Sequence, residues 1–282
     1  MRKLIFVFIL FMSAGIVSAQ NAAEKKFLLS THSNSFGLSM LSTTDPYLSP
    51  AVYSGLGFRF NTERSRFLST ENTNYSGYGK LSLSAGMMLN PAFSSSMTYL
   101  GANYCYGIHY HLRSKKDLHA LVGGIWDVDF GFKNVARNVN NPVNIDLATN
   151  LNLSAVVLYD IHTRKRMLKL KLNVQTPILG CMFVPPGGAS YYDMFELGNL
   201  ANAFHISSLH NKRGLSQMYS VDVPFNNSTW RFGLKFDDLK YSANNLVFVR
   251  KEFSLLVGIT FDVATFAGRK HTPPQNFIST NE

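Results

Sequence analysis

Charged residues are scarce in this sequence. Only 16% of its 282 residues are Asp, Glu, Lys or Arg, against about 25% in an average soluble domain. Cysteine is nearly absent as well, because Cys105 and Cys181 are the only two, too few for a small secreted scaffold held by disulfides. After residue 19 no apolar run approaches the roughly 18 residues of a membrane-spanning helix, which excludes a helical inner-membrane protein. The composition also excludes collagen, a coiled coil and a disordered chain.

The N-terminal residues have the pattern of an export signal. Arg2 and Lys3 precede the apolar run LIFVFILFM, and the small-residue stretch Val17-Ser18-Ala19 follows it. This order of charged, apolar and small residues is typical of a secretory signal peptide. We therefore predict a signal peptide over residues 1–19, cleaved after Ala19.

Apolar and polar residues alternate with a period of two along most of the remaining chain, which indicates β-strands with one apolar and one polar face. The clearest case sets Leu168, Leu170 and Leu172 against Lys169 and Lys171. Ten such segments are present. They span residues 27–40, 51–61, 78–90, 98–112, 118–130, 145–161, 166–178, 215–224, 228–240 and 246–262.

Long strands of this kind occur in two settings. Their apolar face lies inside a soluble barrel or sandwich, or it faces lipid in a transmembrane barrel. Strand lengths that match the roughly 9 to 11 residues needed to cross a bilayer favour the membrane. Tyr and Trp near the ends of several apolar stripes favour it too. We predict an all-β, antiparallel, up-and-down transmembrane barrel, and keep a secreted soluble β-sandwich binding module as an alternative.

The connections between strands alternate in length, as they do in outer-membrane barrels with short periplasmic turns and long extracellular loops. The links at 113–117, 162–165 and 225–227 are short, whereas those at 131–144 and 181–214 are long. Counting strands on this basis gives ten, with both termini in the periplasm. Twelve strands result if 181–214 contains another hairpin. The predicted divisions are a barrel over residues 20–266 and a periplasmic tail over 267–282.

The stretch DPYLSPAVYSGLGFRFNTERSRF at 45–67, with the Gly- and Tyr-rich strand near Tyr78, resembles an uncharacterised family of Bacteroidetes outer-membrane proteins, a domain of unknown function. The signal peptide ending in SAQ is similar to those of that group. The resemblance implies a barrel in the outer membrane and brings no catalytic residues. Outer-membrane barrels usually end on an aromatic residue, whereas here sixteen residues follow Phe266.

Three histidines on the polar faces of two neighbouring predicted strands form a candidate metal site. A tight turn at 113–117 would set His111 opposite His119, with His109 nearby and Asp117 as an oxygen ligand. The alternative is a polar rim at the periplasmic mouth. No cofactor is expected.

Charged residues on the polar faces are predicted to line the lumen, where they either tune solute entry or fill a narrow barrel with paired charges. They are Lys169, Lys171, Asp127, Asp129, Arg231 and Lys235, with Arg250, Glu252 and Asp146 as further members. The segment 181–214 is long and aromatic, so we predict that it folds over the extracellular mouth or into the lumen and restricts the pore.

These patterns favour a non-enzymatic outer-membrane barrel that acts as a narrow, porin-like channel, a transporter or a membrane subunit of an envelope assembly. A barrel enzyme acting on lipid or peptide at the outer leaflet is an alternative, since some barrel hydrolases carry Ser and His on one strand face. The cations are scattered instead of forming a stripe, which argues against nucleic acid and favours anionic lipid headgroups. A small solute, an apolar ligand and envelope proteins are further candidate partners.

Overall fold

The strands form one closed antiparallel barrel. The computed structural model describes residues 27–115, 117–139, 141–164, 166–198, 200, 202–225, 228–264 and 277–280. Ten long strands pair with their neighbours in chain order, and the last pairs with the first over Leu29 to Thr44. This closure leaves neither edge of the sheet unpaired. The predicted up-and-down barrel of ten strands is confirmed, and the alternative of a two-layer sandwich is wrong.

The barrel strands contain between 14 and 20 residues each, and two short strands and one helical turn accompany them. The barrel strands are β1 (Phe27–Asp45), β2 (Ser49–Phe67), β3 (Tyr75–Leu89), β4 (Ser96–Lys115), β5 (Leu118–Asn134), β6 (Val143–His162), β7 (Met167–Phe183), β9 (Lys212–Phe225), β10 (Ser228–Ala243) and β11 (Leu246–Ala264). The short elements are α1 (Tyr191–Phe195), β8 (Phe204–Ser208) and β12 (Phe277–Ile278).

Alternation along each strand gives the barrel an apolar outside and a polar inside. In β7, Leu170 and Leu172 face outward, whereas Lys171 lies opposite Ser220 of β9 on the inward face. Many outward side chains are well exposed, among them Leu56 at 67% and Leu38 at 61%. The buried side chains include many Ser, Asn, Asp, Lys and Arg residues. This distribution reverses that of a soluble barrel.

The two ends of the barrel carry different connections. We call one end the lid end; its links are residues 46–48, 90–95, 135–142, 184–211 and 244–245. The other is the terminal end, where Phe27 and Ala264 lie and where the links are 68–74, 116–117, 163–166 and 226–227. The lid-end link at Asn244-Asn245 has positive φ at both residues, which is the geometry of a tight type I′ hairpin.

The long lid-end link folds back onto the barrel. Its helical turn α1 begins with a capping box between Ser190 and Asp193, and β8 pairs with the upper part of β7. Strand β7 changes partner from β9 to β8 near Pro177, where its register with β6 also shifts. A proline suits this position because it has no N–H to donate to a ladder. Among the described residues this link adds no strand to the closed ring, so the twelve-strand alternative is wrong.

Three further observations concern the termini, the cysteines and membrane helices. The predicted signal peptide lies outside the described residues, as does most of the predicted tail. Both cysteines are free thiols: Cys105 pairs with the inward Asp127, whereas Cys181 pairs with Thr149 on the outward face. In the part of the chain that the structure describes, no helix has the length and apolar character needed to span a membrane.

Candidate functional site

The predicted lumen residues all lie on inward strand faces. Asp127 and Asp129 come from β5, Lys169 and Lys171 from β7, and Arg231 and Lys235 from β10. Each points inward because it alternates with an outward apolar neighbour, as Lys235 does with Leu234 and Phe236. Side chains from opposite walls of a ten-stranded barrel are close enough to meet, since its interior is only slightly wider than that of an eight-stranded barrel, which side chains fill. The lumen is therefore the candidate functional site.

Ion pairs cross the lumen towards the terminal end. Glu63 of β2 accepts a hydrogen bond from Lys171 Nζ at 2.7 Å and from Arg231 Nη1 at 3.2 Å. Arg231 also donates two bonds of 2.6 Å to the carboxylate oxygens of Asp222. Such bidentate contacts are among the strongest that carboxylates make. The four side chains come from β2, β7, β9 and β10, so they tie separated parts of the wall together.

A second ion-pair cluster lies near the middle of the barrel. Arg59 of β2 pairs with Glu252 of β11, and its Nη1 lies 2.7 Å from Asp237 Oδ2 of β10. The same Asp237 oxygen accepts from Lys235 Nζ at 2.6 Å. Each of these buried charges has an opposite charge in contact, which offsets much of the cost of removing it from water.

Asp127 and Asp129 are held by amides instead of cations. Asn103 Nδ2 lies 2.7 Å from Asp129 Oδ1 and 3.3 Å from Asp127 Oδ2. Asn150 and Asn152 donate to Asp127 at 2.7 and 2.8 Å. These carboxylates line a central cavity of 100 Å³. Three cations that form no direct ion pair among the described residues line the same cavity, two of them buried and the last half-buried. They are Lys80, Lys212 and Arg250.

An apolar layer closes the lid end. Inward side chains from β1 to β4 meet two residues of the β1–β2 link and one residue of the β5–β6 link there, and all of them are almost fully buried. The layer consists of Leu41, Tyr47, Leu48, Tyr53, Met88, Met97, Tyr99 and Val135. Tyr191 of α1 packs on its outer side, edge-on to Tyr47.

Polar contacts fasten α1 to the rim. The Tyr47 hydroxyl donates to the Ala189 carbonyl at 2.8 Å, and the Tyr191 hydroxyl donates to Asn144 Oδ1 at 2.8 Å. Burial, together with the carboxylates of Asp45 and Asp193, raises the pKa of Tyr47 to about 12. Burial also raises the pKa of Tyr191 well above its usual value.

A buried lysine anchors the same rim from within. Lys133 of β5 has a side chain that is 0% exposed and pairs with both Asp45 and Asp146. Asp45 ends β1 and also accepts a bond of 2.7 Å from Asn144. The lid end thus combines an apolar layer with a central charge held by two carboxylates.

The chain returns to the barrel at the terminal end. Strand β12 pairs in parallel with Phe27 and Leu28 at the start of β1. Beyond it, Ser279 lies 3.4 Å from the Thr31 hydroxyl, and Thr280 lies 3.0 Å from the Ser65 hydroxyl. Thr280 borders an inner cavity of 50 Å³. Hydroxyl contacts of the returning chain therefore narrow this end, where the inward side chains of Phe67, Leu121 and Val156 are also buried.

The three candidate metal ligands lie on inward strand faces, but they are not paired as predicted. His111 pairs with Leu121, and the register shifts between Leu112 and Lys115, so the predicted pairing of His111 with His119 is wrong. His109 Nε2 lies 2.9 Å from the Ser154 hydroxyl, and His111 Nε2 lies 2.8 Å from the Ser76 hydroxyl. Within the described ranges, no group of three His, Cys, Asp or Glu side chains is arranged to hold a metal ion.

Comparisons with known proteins identify the family. The model of the family described as "Protein of unknown function (DUF3316)" matches residues 3–270. The chain belongs to this family. No curated protein sequence matches it.

Several solved barrel structures are similar to this DUF3316 member. The translocator domain of the autotransporter NalP from Neisseria meningitidis is 9% identical, with a TM-score of 0.43 over 92% of this chain and 96% of that one. The transport unit of the autotransporter AIDA-I from Escherichia coli is 7% identical, with a TM-score of 0.38 over 91% and 97%. The outer membrane protease OmpT from Escherichia coli is 7% identical, with a TM-score of 0.43 over 89% and 100%.

Sequence reasoning overlooked several lumen residues of this DUF3316 member. Asn103, Asn150 and Asn152, which hold the aspartates, were not predicted as lumen residues. The signal was present, because Asn150 and Asn152 alternate with the outward Leu151 and Leu153. Glu63 was missed because the strand was predicted to end at residue 61, whereas Arg59 lies within the predicted strand but was not included among the lumen residues. The signal was present, since alternation at Phe58 and Phe60 continues into Glu63.

Proposed function

We propose that this chain is a non-enzymatic outer-membrane barrel with a closed lumen, which serves as a membrane-embedded subunit of an envelope assembly and not as an open pore. One observation carries the proposal: side chains occupy the lumen from end to end while the outward face is apolar. A charged lumen lined by paired groups and sealed at one end does not resemble the water-filled channel of a porin.

The outward face supports a position in lipid. It presents large apolar side chains all round the ring, including Leu38 on β1, Tyr104 on β4, Leu153 on β6 and Leu234 on β10. A water-soluble protein rarely exposes so continuous an apolar surface. Cross-strand pairing runs round the whole ring and through the β1–β11 seam, which suits a bilayer because lipid offers backbone groups no hydrogen-bond partners.

The connections support an orientation. We place the terminal end in the periplasm, because most of its links are short and both ends of the barrel segment lie there. The lid end, with the long link 184–211, then faces the outside of the cell, as the longer loops of outer-membrane barrels do. In this orientation residues 277–280 lie on the periplasmic side, as predicted for the tail.

The closed lumen favours a structural role over transport. The inner cavities of 100 and 50 Å³ are far below the roughly 300 to 1,000 Å³ of a typical ligand site. Removing the long link alone would not open the barrel, because the apolar layer beneath α1 belongs to β1–β4 and to the β1–β2 and β5–β6 links.

The hydroxyl–histidine pairs give no support to the enzyme alternative. His109 and Ser154 are both at most 2% exposed, and His111 contacts Ser76, which is also buried. A hydrolase of outer-leaflet lipid or of external peptide needs its nucleophile within reach of the substrate. These pairs instead face the interior of the barrel.

Membrane fractionation followed by planar-bilayer recording tests the proposal. We expect the full chain in the outer-membrane fraction and no steady ion current from the purified barrel. A variant lacking residues 186–208 should still show heat-modifiable gel migration, and its current should remain small. A steady current from the unmodified barrel would contradict the closed lumen.

A pair of adjacent substitutions tests the lipid-facing assignment. Leu170→Arg should impair assembly more than Lys171→Leu, because an arginine on the lipid face costs about 2 to 4 kcal/mol near the bilayer midplane. Lys171→Leu removes one of the two cations on Glu63 and leaves Arg231 in place. Heat-modifiable migration of both variants checks the order, and equal effects would argue against a lipid-facing Leu170.

A further inference from the structure

A groove of 550 Å³ runs along the outward face of β3 near the terminal end. Its floor is formed by Gly77 and Gly79, at positions where other strands carry large side chains. A Cβ placed on Gly79 would meet no atom closer than 3.9 Å, and one on Gly77 would meet only the Leu68 side chain within 3.4 Å. The groove exists because these two outward positions have no side chains.

The walls of the groove differ in chemistry. The register places Gly79 between Arg64 of β2 and Tyr106 of β4. Gly77 likewise lies beside Arg66, on the side nearer the terminal end. In the other direction, the groove continues to Leu81 and Tyr104. Two guanidinium groups therefore stand at the outer end of the groove, and apolar and aromatic side chains line its course towards the middle of the barrel.

Neither arginine is neutralised by the rest of the described chain. Arg64 donates from Nε to the Ser30 hydroxyl at 2.9 Å, and neither Arg64 nor Arg66 forms an ion pair with a described carboxylate. Arg66 Nε is buried and has no hydrogen-bond partner among the described residues. A buried donor without a partner destabilises the structure, because it has lost its hydrogen bonds to water without replacement. An external acceptor at this point would remove that destabilisation.

We propose that this groove binds an anionic glycerophospholipid, with its phosphate on Arg64 and Arg66 and one acyl chain along Gly79 and Leu81. A guanidinium group can donate two parallel, charge-assisted hydrogen bonds to two oxygens of one phosphate. The polarity of the groove matches that of a lipid, because the cations lie near the membrane surface and the apolar walls point towards its core. The assignment rests on the proposed position of the barrel in the outer membrane.

Native mass spectrometry of the detergent-purified full chain tests this assignment with added phosphatidylglycerol. We expect retention of phosphatidylglycerol in preference to phosphatidylcholine. The double variant Arg64→Ala/Arg66→Ala should reduce that retention about tenfold, which corresponds to the loss of about 1.4 kcal/mol. Gly79→Leu should also reduce it, because the new side chain fills the floor while both charges remain.

Two controls make the result specific. Arg213→Ala/Lys240→Ala removes two exposed outward cations at the lid end, and we expect it to leave lipid retention unchanged. An equal loss in this control, no preference for phosphatidylglycerol, or normal binding by Gly79→Leu would overturn the assignment. Heat-modifiable migration and membrane fractionation of the same proteins report on the barrel itself, so a failure of the proposed function is recognised separately.

Discussion

The two ends of the barrel are closed by different chemistry. At the lid end, Met88, Met97 and Tyr99 belong to the apolar layer and are each at most 1% exposed. At the terminal end, the hydroxyls of Ser279 and Thr280 meet those of β1 and β2. Apolar packing excludes water outright and depends on shape, whereas hydroxyl contacts exchange readily with water. We therefore expect the contacts at the lid end to be the more stable of the two, although buried Phe67, Leu121 and Val156 add apolar packing near the terminal end.

The largest expected effect is the loss of Lys133. Lys133→Met leaves Asp45 and Asp146 buried without their shared cation, and breaking a buried pair in this way costs about 3 to 5 kcal/mol. Urea unfolding in detergent micelles should show this loss. At the terminal end, Lys169→Met is the matched control, because its ion pair with Asp160 is 3.7 Å long; it should cost less than Lys133→Met. Similar losses in both variants would remove the distinction between the ends.

Alkaline pH should loosen the lid end selectively. Because the pKa of Tyr47 is raised to about 12 in the folded protein, against about 10 in an unfolded chain, its stabilising contribution is complete below pH 10 and is lost as the pH rises towards 12. Tyr191 shifts in the same direction. Limited proteolysis within residues 184–198 should therefore become faster across this window. Tyr47→Phe should weaken that pH dependence, and an unchanged profile in this variant would show that Tyr47 is not responsible.

Loosening of the tail contacts should have the smallest effect. Thr280→Val removes a hydroxyl that lies 3.0 Å from Ser65 Oγ, and a typical hydrogen bond contributes about 0.5 to 1.5 kcal/mol. We expect a small shift in the urea midpoint and faster hydrogen exchange at the start of β1. A shift as large as that of Lys133→Met would mean that the terminal end is also a rigid seal.

The ring of strands was predictable because one face of each strand is apolar over most of its length. The prediction was least accurate where that contrast disappears. The sequence Thr62-Glu63-Arg64-Ser65-Arg66 is polar on both faces, so it was interpreted as a long link, although it continues β2. The outward arginines there are the ones that border the groove. These outward arginines therefore explain both why this part of β2 was not predicted as a strand and why a lipid phosphate is proposed to bind there.

The pairing of charges inside the lumen was not predictable from sequence. Alternation places Lys171 and Glu63 on inward faces, but they are 108 residues apart, and their contact depends on the curvature and stagger of the whole ring. The predicted pairing of His111 with His119 is wrong for a related reason, because the irregularity between Leu112 and Lys115 displaces β4 relative to β5. A single irregular residue pair changes which side chains are opposite each other.

The seam between β1 and β11 has a consequence for how the chain reaches its fold. Leu29 pairs with Ala264 and Thr44 with Val249, so the ring closes only when both ends of the barrel segment have been synthesised and brought together. Contacts between such distant residues slow folding, since the entropy of closing the loop must be overcome before they form. Until then both edge strands present unpaired backbone groups that other chains can recruit. We therefore expect seam closure to limit the rate of refolding into lipid, and chaperones that cover free strand edges to improve its yield.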